Sequence, residues 1–243
     1  MATLIFDIET VGERWDELDG VTQSMLTRWS ERTARSNEER VSALKDVQEG
    51  LGFSPLTGFI VAVGVYDLER KKGAVYYTGE GTERDEEVDG FIIKQRSERQ
   101  LLEDFFEGAR SYDTFVTFNG RAFDVPFLLH RAAIHKVPAL PELMDGRYLS
   151  QQKNIRHIDL QDQLSFYGAM MRKPSLHLFC RAYGIPSPKG SGFSGDDVAE
   201  LFGSKKFRDI ATYNAADVRA TTALYEIWLN HFAPAAFLNT IDF

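Results

Sequence analysis

The segment TLIFDIET, residues 3–10, limits what this chain can fold into more than any other. Leu4, Phe6 and Ile8 fall on one face, and Ile5, Asp7 and Glu9 on the other, which is the period-two pattern of a β-strand. Asp7 and Glu9 therefore point to the same side, roughly 7 Å apart along the backbone. They stand where an otherwise apolar strand ends. A carboxylate next to a hydrophobic strand core is costly unless it is solvated, paired or bound to metal. The strand is either leaving the core for a polar loop or presenting two acids at a site.

The remaining pattern fits mixed α/β. Residues 13–50 are polar and lack proline, and they read as helices inserted after the first strand. Met25, Leu26 and Trp29, then Val41, Leu44 and Val47, supply their narrow apolar stripes. Gly58 to Tyr66 and Ala74 to Thr78 read as strands joined by a turn at Arg70 to Gly73. Residues 80–107 carry ten acids against four bases and read as a solvated loop running into a helix marked by Leu101, Leu102, Phe105, Phe106 and Ala109. Thr114 to Phe118 is a short buried strand, Asp124 to His135 a helix with Pro126 in its first turn, and Arg156 to Leu160 another strand. Helices follow near 161–171, 175–183, 195–203 and 206–231. The order requires at least one parallel crossover. No convincing linker divides residues 1–243, so a single domain is expected.

Composition narrows the class. With 43% hydrophobic and 26% charged residues, a disordered chain, a collagen-like fibre and a disulfide scaffold are excluded. The one cysteine, Cys180, cannot form an internal disulfide, and this fits a reducing compartment. The longest apolar run, Phe59 to Tyr66, falls far short of the roughly 20 residues that span a bilayer. The first ten residues lack the basic region of a signal peptide, so a cytoplasmic location with no membrane partner is expected. A net charge of −8 argues against a nonspecific nucleic-acid coat protein. It leaves room for an enzyme whose cleft is only locally positive.

Two further motifs carry chemistry. Asn119-Gly120 is a turn signal after a strand, and Asp124 opens the next helix, where it serves as an N-cap or a site acid. Tyr213 and Asp217 are i and i+4 on a helix and share a face. His157-Ile158-Asp159 places a His–Asp pair on one strand face, which is usually structural. Asp196 reads as the N-cap of the next helix. Lys189-Gly190-Ser191-Gly192 reads as a flexible loop able to close on a substrate, and it lacks the spacing of a phosphate-binding P-loop.

In order and spacing, D-x-E on the first strand, N-G-x-x-x-D at a strand–helix junction and Y-x-x-x-D on a late helix resemble the DEDD (DnaQ-like) superfamily of 3′–5′ exonucleases. The tyrosine branch is the nearer one, because the position five residues before the last acid is Thr212 and not histidine. The likeness extends over residues 3–230 and is greatest to predicted exonucleases related to the proofreading domain of family B DNA polymerases. The helical insertion at 13–50 departs from a minimal domain of that kind.

The resemblance implies an α/β, ribonuclease H-like fold with a five-stranded mixed sheet flanked by helices. It makes Asp7, Glu9, Asp124 and Asp217 the ligands of two divalent cations, Mg²⁺ or Mn²⁺, and Tyr213 the residue that orients the attacking water. Hard carboxylate oxygens suit such ions, and a pair of ions suits in-line displacement at a phosphodiester. Carboxylates so crowded imply at least one raised pKa without metal. Thr10, Asn119, Phe123 and Lys189 become candidate substrate contacts, the alternatives being that Asn119 only fixes its turn and that Phe123 packs in the core.

The implied partner is the 3′ end of single-stranded nucleic acid, DNA rather than RNA. An RNA-trimming enzyme and a non-catalytic binding module on the same fold are the alternatives. Seven Lys or Arg against two acids between Arg147 and Lys189 offer phosphate contacts, or simply solvated helix charge.

Overall fold

The computed structural model describes residues 2–80, 84–187 and 195–239. In chain order the elements are β1 (Thr3–Gly12), α1 (Gly20–Thr33), α2 (Asn37–Gly50), β2 (Gly58–Asp67), β3 (Lys72–Tyr77), β4 (Glu86–Val88), β5 (Phe91–Gln95), α3 (Glu98–Ala109), β6 (Thr114–Thr117), α4 (Asp124–His135), β7 (Arg156–Asp159), α5 (Leu160–Leu164), α6 (Leu176–Tyr183), α7 (Val198–Gly203), α8 (Phe207–His231) and α9 (Ala235–Leu238). No helix among the described residues is long and apolar enough to cross a membrane.

One mixed sheet runs in the order β4-β5-β3-β2-β1-β6-β7. β1 is antiparallel to β2 and parallel to β6, and β6 is parallel to β7. The pleat of β1 sorts its side chains as the alternation predicts. Leu4, Phe6 and Ile8 enter the core under α3 and α4. Ile5 enters the core under α8, with Val218, Leu224 and Trp228. Asp7 and Glu9 continue the α8 side. Apolar burial on both faces holds this strand in the middle of the sheet. The strand does not end at the acids, as its pattern suggested, but stays paired with β2 as far as Gly12, so Asp7 and Glu9 stand within a rigid strand and not on a loop.

The α/β architecture is as expected, but the sheet is two strands wider than five. Phe91 and Ile93 are buried while Ile92 is 40% exposed, an alternation the surrounding acids obscured. β4 and β5 pair across a turn in which Asp89 and Gly90 both have positive φ, where a residue without Cβ fits best. The segment read as a charged loop is thus an edge hairpin with its charges turned outward.

Two helices are also shorter than the periodicity suggests. α5 stops at Leu164 because Phe166, Tyr167 and Gly168 take positive φ, and the Tyr167 amide donates to the Asp162 carbonyl at 2.7 Å. The residue preceding α7 is Asp197, not Asp196, and its side chain makes no cap hydrogen bond.

Candidate nuclease site

Strand pairing builds the site first. Asp7 lies opposite Gly64 of β2, and the register slips by one residue between Glu9 and Thr10, a bulge beside the acids. α8 crosses this face and brings Tyr213, Asn214 and Asp217 over it. Ligand oxygens of Asp7, Glu9 and Asp217 lie within 4.8 Å of one another. The sequence separated Asp217 from Asp7 by most of the chain, and the packing of α8 on β1 and β2 closes that gap.

Asp124 stands beside this trio. β6 pairs with β1 only as far as Ile5, which leaves the next amides of β1 on that edge without a strand partner. The Asp124 carboxylate takes the Ile8 amide at 3.0 Å, in place of that strand. Asp124 is therefore not the cap of its own helix. The residue before α4 is Phe123, which makes no side-chain cap.

The turn delivering Asp124 is held by Asp159. Its carboxylate accepts from the amides of Asn119 at 2.9 Å and Arg121 at 3.0 Å. Asn119 has φ 64°, a left-handed conformation that asparagine tolerates. Among the described residues the Asn119 side chain makes no hydrogen bond, so its visible role is the turn. His157 shares a hydrogen bond with Thr117 at 2.8 Å, and its Nδ1 lies 3.1 Å from the Leu143 carbonyl. Burial lowers its pKa to about 3, so it stays neutral. The His–Asp pair is structural.

Electrostatics follow from the crowding. Burial, and then repulsion by Asp124, Asp217 and Glu9, hold the Asp7 carboxyl well above its ordinary pKa. Burial and then Asp217 do the same to Glu9. Burial raises Asp124 to about 7, against the lowering effect of the Ile8 amide. Burial and Asp217 push the Tyr213 hydroxyl far above its usual range, so it remains a proton donor, hydrogen-bonded to Asp217.

Asn214, which the motif reading overlooked, joins these acids. It is fully buried, and its Nδ2 donates to Asp7 Oδ2 at 2.9 Å and reaches Glu9 Oε1 at 3.5 Å. Its Oδ1 has no hydrogen-bond partner among the described residues. Gly64 makes room for it. A Cβ at that position would collide with Asn214 Oδ1 and lie 2.8 Å from Val218 Cγ2. Two signals were available: a glycine within a buried strand, and an asparagine at i−3 from Asp217, on the same helix face.

A cleft of about 610 Å³ opens beside Glu9, lined in part by Thr10, Phe53, Phe123 and Ala199. Phe53 is 67% exposed and its ring meets that of Phe123 edge-on at 6.4 Å. The Thr10 hydroxyl donates to the Gly52 carbonyl at 2.7 Å and so fixes the turn that carries Phe53. Lys189 lies outside the described residues. The basic stretch is partly spent within the fold, since Arg147 pairs with Asp162 at 2.7 Å. The donor set fits divalent cations: hard oxygens converge, and their mutual repulsion is what a cation would relieve.

A family described as predicted 3′–5′ exonucleases related to the exonuclease domain of PolB matches residues 74–237, a span that includes Asp124, Tyr213 and Asp217. No curated protein matches. Among solved structures, a family B DNA polymerase from the hyperthermophilic archaeon Pyrobaculum calidifontis is similar with a TM-score of 0.55 and 18% identity. That match covers 94% of this chain and 24% of the polymerase, so the chain spans about a quarter of its length. The fold is ribonuclease H-like, and the chain belongs to the predicted 3′–5′ exonucleases related to the exonuclease domain of PolB.

Proposed function

We propose that the chain is a single-domain, metal-dependent 3′–5′ exonuclease that removes nucleoside monophosphates from single-stranded ends, DNA in preference to RNA. The observation that carries this reading is the convergence of Asp7, Glu9 and Asp217 beside an open cleft, with Asp124 bonded to the Ile8 amide between the two strand acids.

Asp7, Glu9, Asp217 and Asp124 would hold two divalent cations, Mg²⁺ or Mn²⁺. Bound there, the ions supply an activated water and stabilise the departing 3′ oxygen. The chain's own groups do the rest. Asn214 holds Asp7 and Glu9 at a fixed separation. Tyr213 keeps its proton and orients the attacking water by hydrogen bonding. Phe53 and Phe123 offer aromatic edges to the terminal base, a contact that does not discriminate sequence.

The test is digestion of a 5′-labelled oligonucleotide in Mg²⁺ or Mn²⁺, run beside a chelated control and a matched RNA. Single-nucleotide shortening from the 3′ end, lost on chelation and faster on DNA, is the expected result. Internal cuts or no products would refute the reading.

Tyr213→Phe should slow turnover by about 10²-fold through misplacement of the water, well short of the loss from Asp7→Ala. Equal losses with cation binding intact would reverse that ranking. Asn214→Ala should raise the half-saturating Mn²⁺ concentration by roughly 10–100-fold. An unchanged Mn²⁺ titration would limit Asn214 to packing.

A further inference from the structure

The helical insertion has its polarity reversed on one face. Val21, Met25 and Trp29 of α1 recur at i, i+4 and i+8, yet they are 71%, 72% and 75% exposed. The residues α1 buries are Thr27 and Ser30, whose hydroxyls donate to carbonyls of their own helix at 2.9 and 2.8 Å. Apolar periodicity puts Trp29 on a narrow stripe of the helix without saying whether that stripe is covered. The largest side chain of α1 instead faces out, at the cost of its hydration.

Arginines share this face. Arg28 and Arg32 flank Trp29, and Arg35 follows the last turn. None of the three makes an ion pair with a described residue, in a chain whose net charge is −8. Cations left unpaired beside an exposed indole match a polyanion that also carries flat rings: phosphates for the guanidinium groups, bases for the aromatic face. An acidic protein partner would meet repulsion from the rest of the surface.

The insertion is also rooted at the cleft. The last turn of α2 contributes Glu49 to the cleft wall, followed by Gly52 and Phe53. At the base of α1, Gln23 Nε2 donates to the carbonyls of Trp15 and Leu18. Trp29 lies nine residues along α1, about 14 Å from that base.

We infer that this face of α1 is a docking surface for the single strand upstream of the nucleotide being removed, with Trp29 stacking on a base and Arg28, Arg32 and Arg35 meeting phosphates. The inference rests on the exonuclease reading for the identity of its occupant.

The experiment compares wild type with Trp29→Ala and with Arg28→Glu/Arg32→Glu. Hydrolysis of a dinucleotide is measured against that of a strand of about 20 nucleotides. Strand binding is followed separately by fluorescence anisotropy in chelator, across a salt series. Melting temperatures confirm that the exposed substitutions leave the fold intact.

The expected result is a dinucleotide kcat/KM unchanged from wild type, with KM and Kd for the long strand raised about tenfold or more. The double arginine variant should also show a shallower salt dependence. Equal effects on both substrates, or none on the long one, overturn the proposal. So does a wild-type dimer that Trp29→Ala dissociates without changing strand affinity, because the face is then a self-association surface. If wild type cleaves nothing but the variants still weaken strand binding, the docking surface stands and the exonuclease reading falls.

Discussion

Asp7→Asn is expected to raise the stability of the metal-free protein while removing its activity. Asp7 is crowded by other acids, with Asp124, Asp217 and Glu9 all opposing its charge. Asparagine has nearly the same shape and no charge. At pH 8 in chelator, the relief should amount to about 1–2 kcal/mol, within the range of single stabilising substitutions made at the expense of function. For a chain of this size that is a rise in melting temperature of roughly 4 °C. Turnover should fall by roughly 10⁴-fold, because several kcal/mol of transition-state stabilisation depend on the cations this residue helps to hold. A melting temperature equal to or below wild type, or turnover within tenfold, would show that Asp7 is not the centre of a repulsive cation site.

The second large effect is in pH dependence. The folded-state pKa values of Asp7, Glu9 and Asp124 lie above those of an unfolded chain, near 3.9 for Asp and 4.3 for Glu. Between about pH 4 and the folded values, the folded state binds more protons. The contribution of this cluster to stability is therefore complete at low pH and is lost as pH rises, through about 7 in the case of Asp124.

Glu98 acts in the opposite sense. Burial alone would raise its pKa, but bonds from Arg131, the Ile60 amide and His135 bring it below the usual value, so its contribution is lost as pH falls. The comparison that isolates the cluster is wild type minus Asp7→Asn, which share Glu98. In chelator, that difference in melting temperature should grow more negative from pH 5 to pH 8. Millimolar Mn²⁺ should reverse its sign, because a bound ion favours the ionised carboxylates. A difference that is flat with pH in chelator, or unmoved by Mn²⁺, would contradict the site's electrostatics.

The individual acids were legible because each sits at a position with its own local rule. Asp7 and Glu9 follow from the strand period, Asp124 from a strand–helix junction, and Tyr213 with Asp217 from the helical i+4 spacing. Their convergence was not legible from spacing. It depends on β1 pairing with both β2 and β6, and on α8 packing across them.

Asn214 was hidden because its partners lie 207 and 205 residues away, and because its neighbour Tyr213 already accounted for the motif. Phe53 was hidden in a turn whose position is set by the hydroxyl of Thr10. The β4–β5 hairpin was masked by acids that an edge strand places in solvent. In α1, periodicity specified a helix but not which face would be covered, and Trp29 took the open one.

Folding joins carboxylates distant in sequence into one cluster, and its proposed role is to hold divalent cations. The most direct test of that role is calorimetric titration with Mn²⁺ in the presence of a nucleoside 5′-monophosphate, comparing wild type with Asp7→Asn and Asp217→Asn. Two saturable ions per wild-type chain are expected, with that binding lost in both variants while their folds persist. Identical weak, unsaturating binding in all three proteins would contradict it.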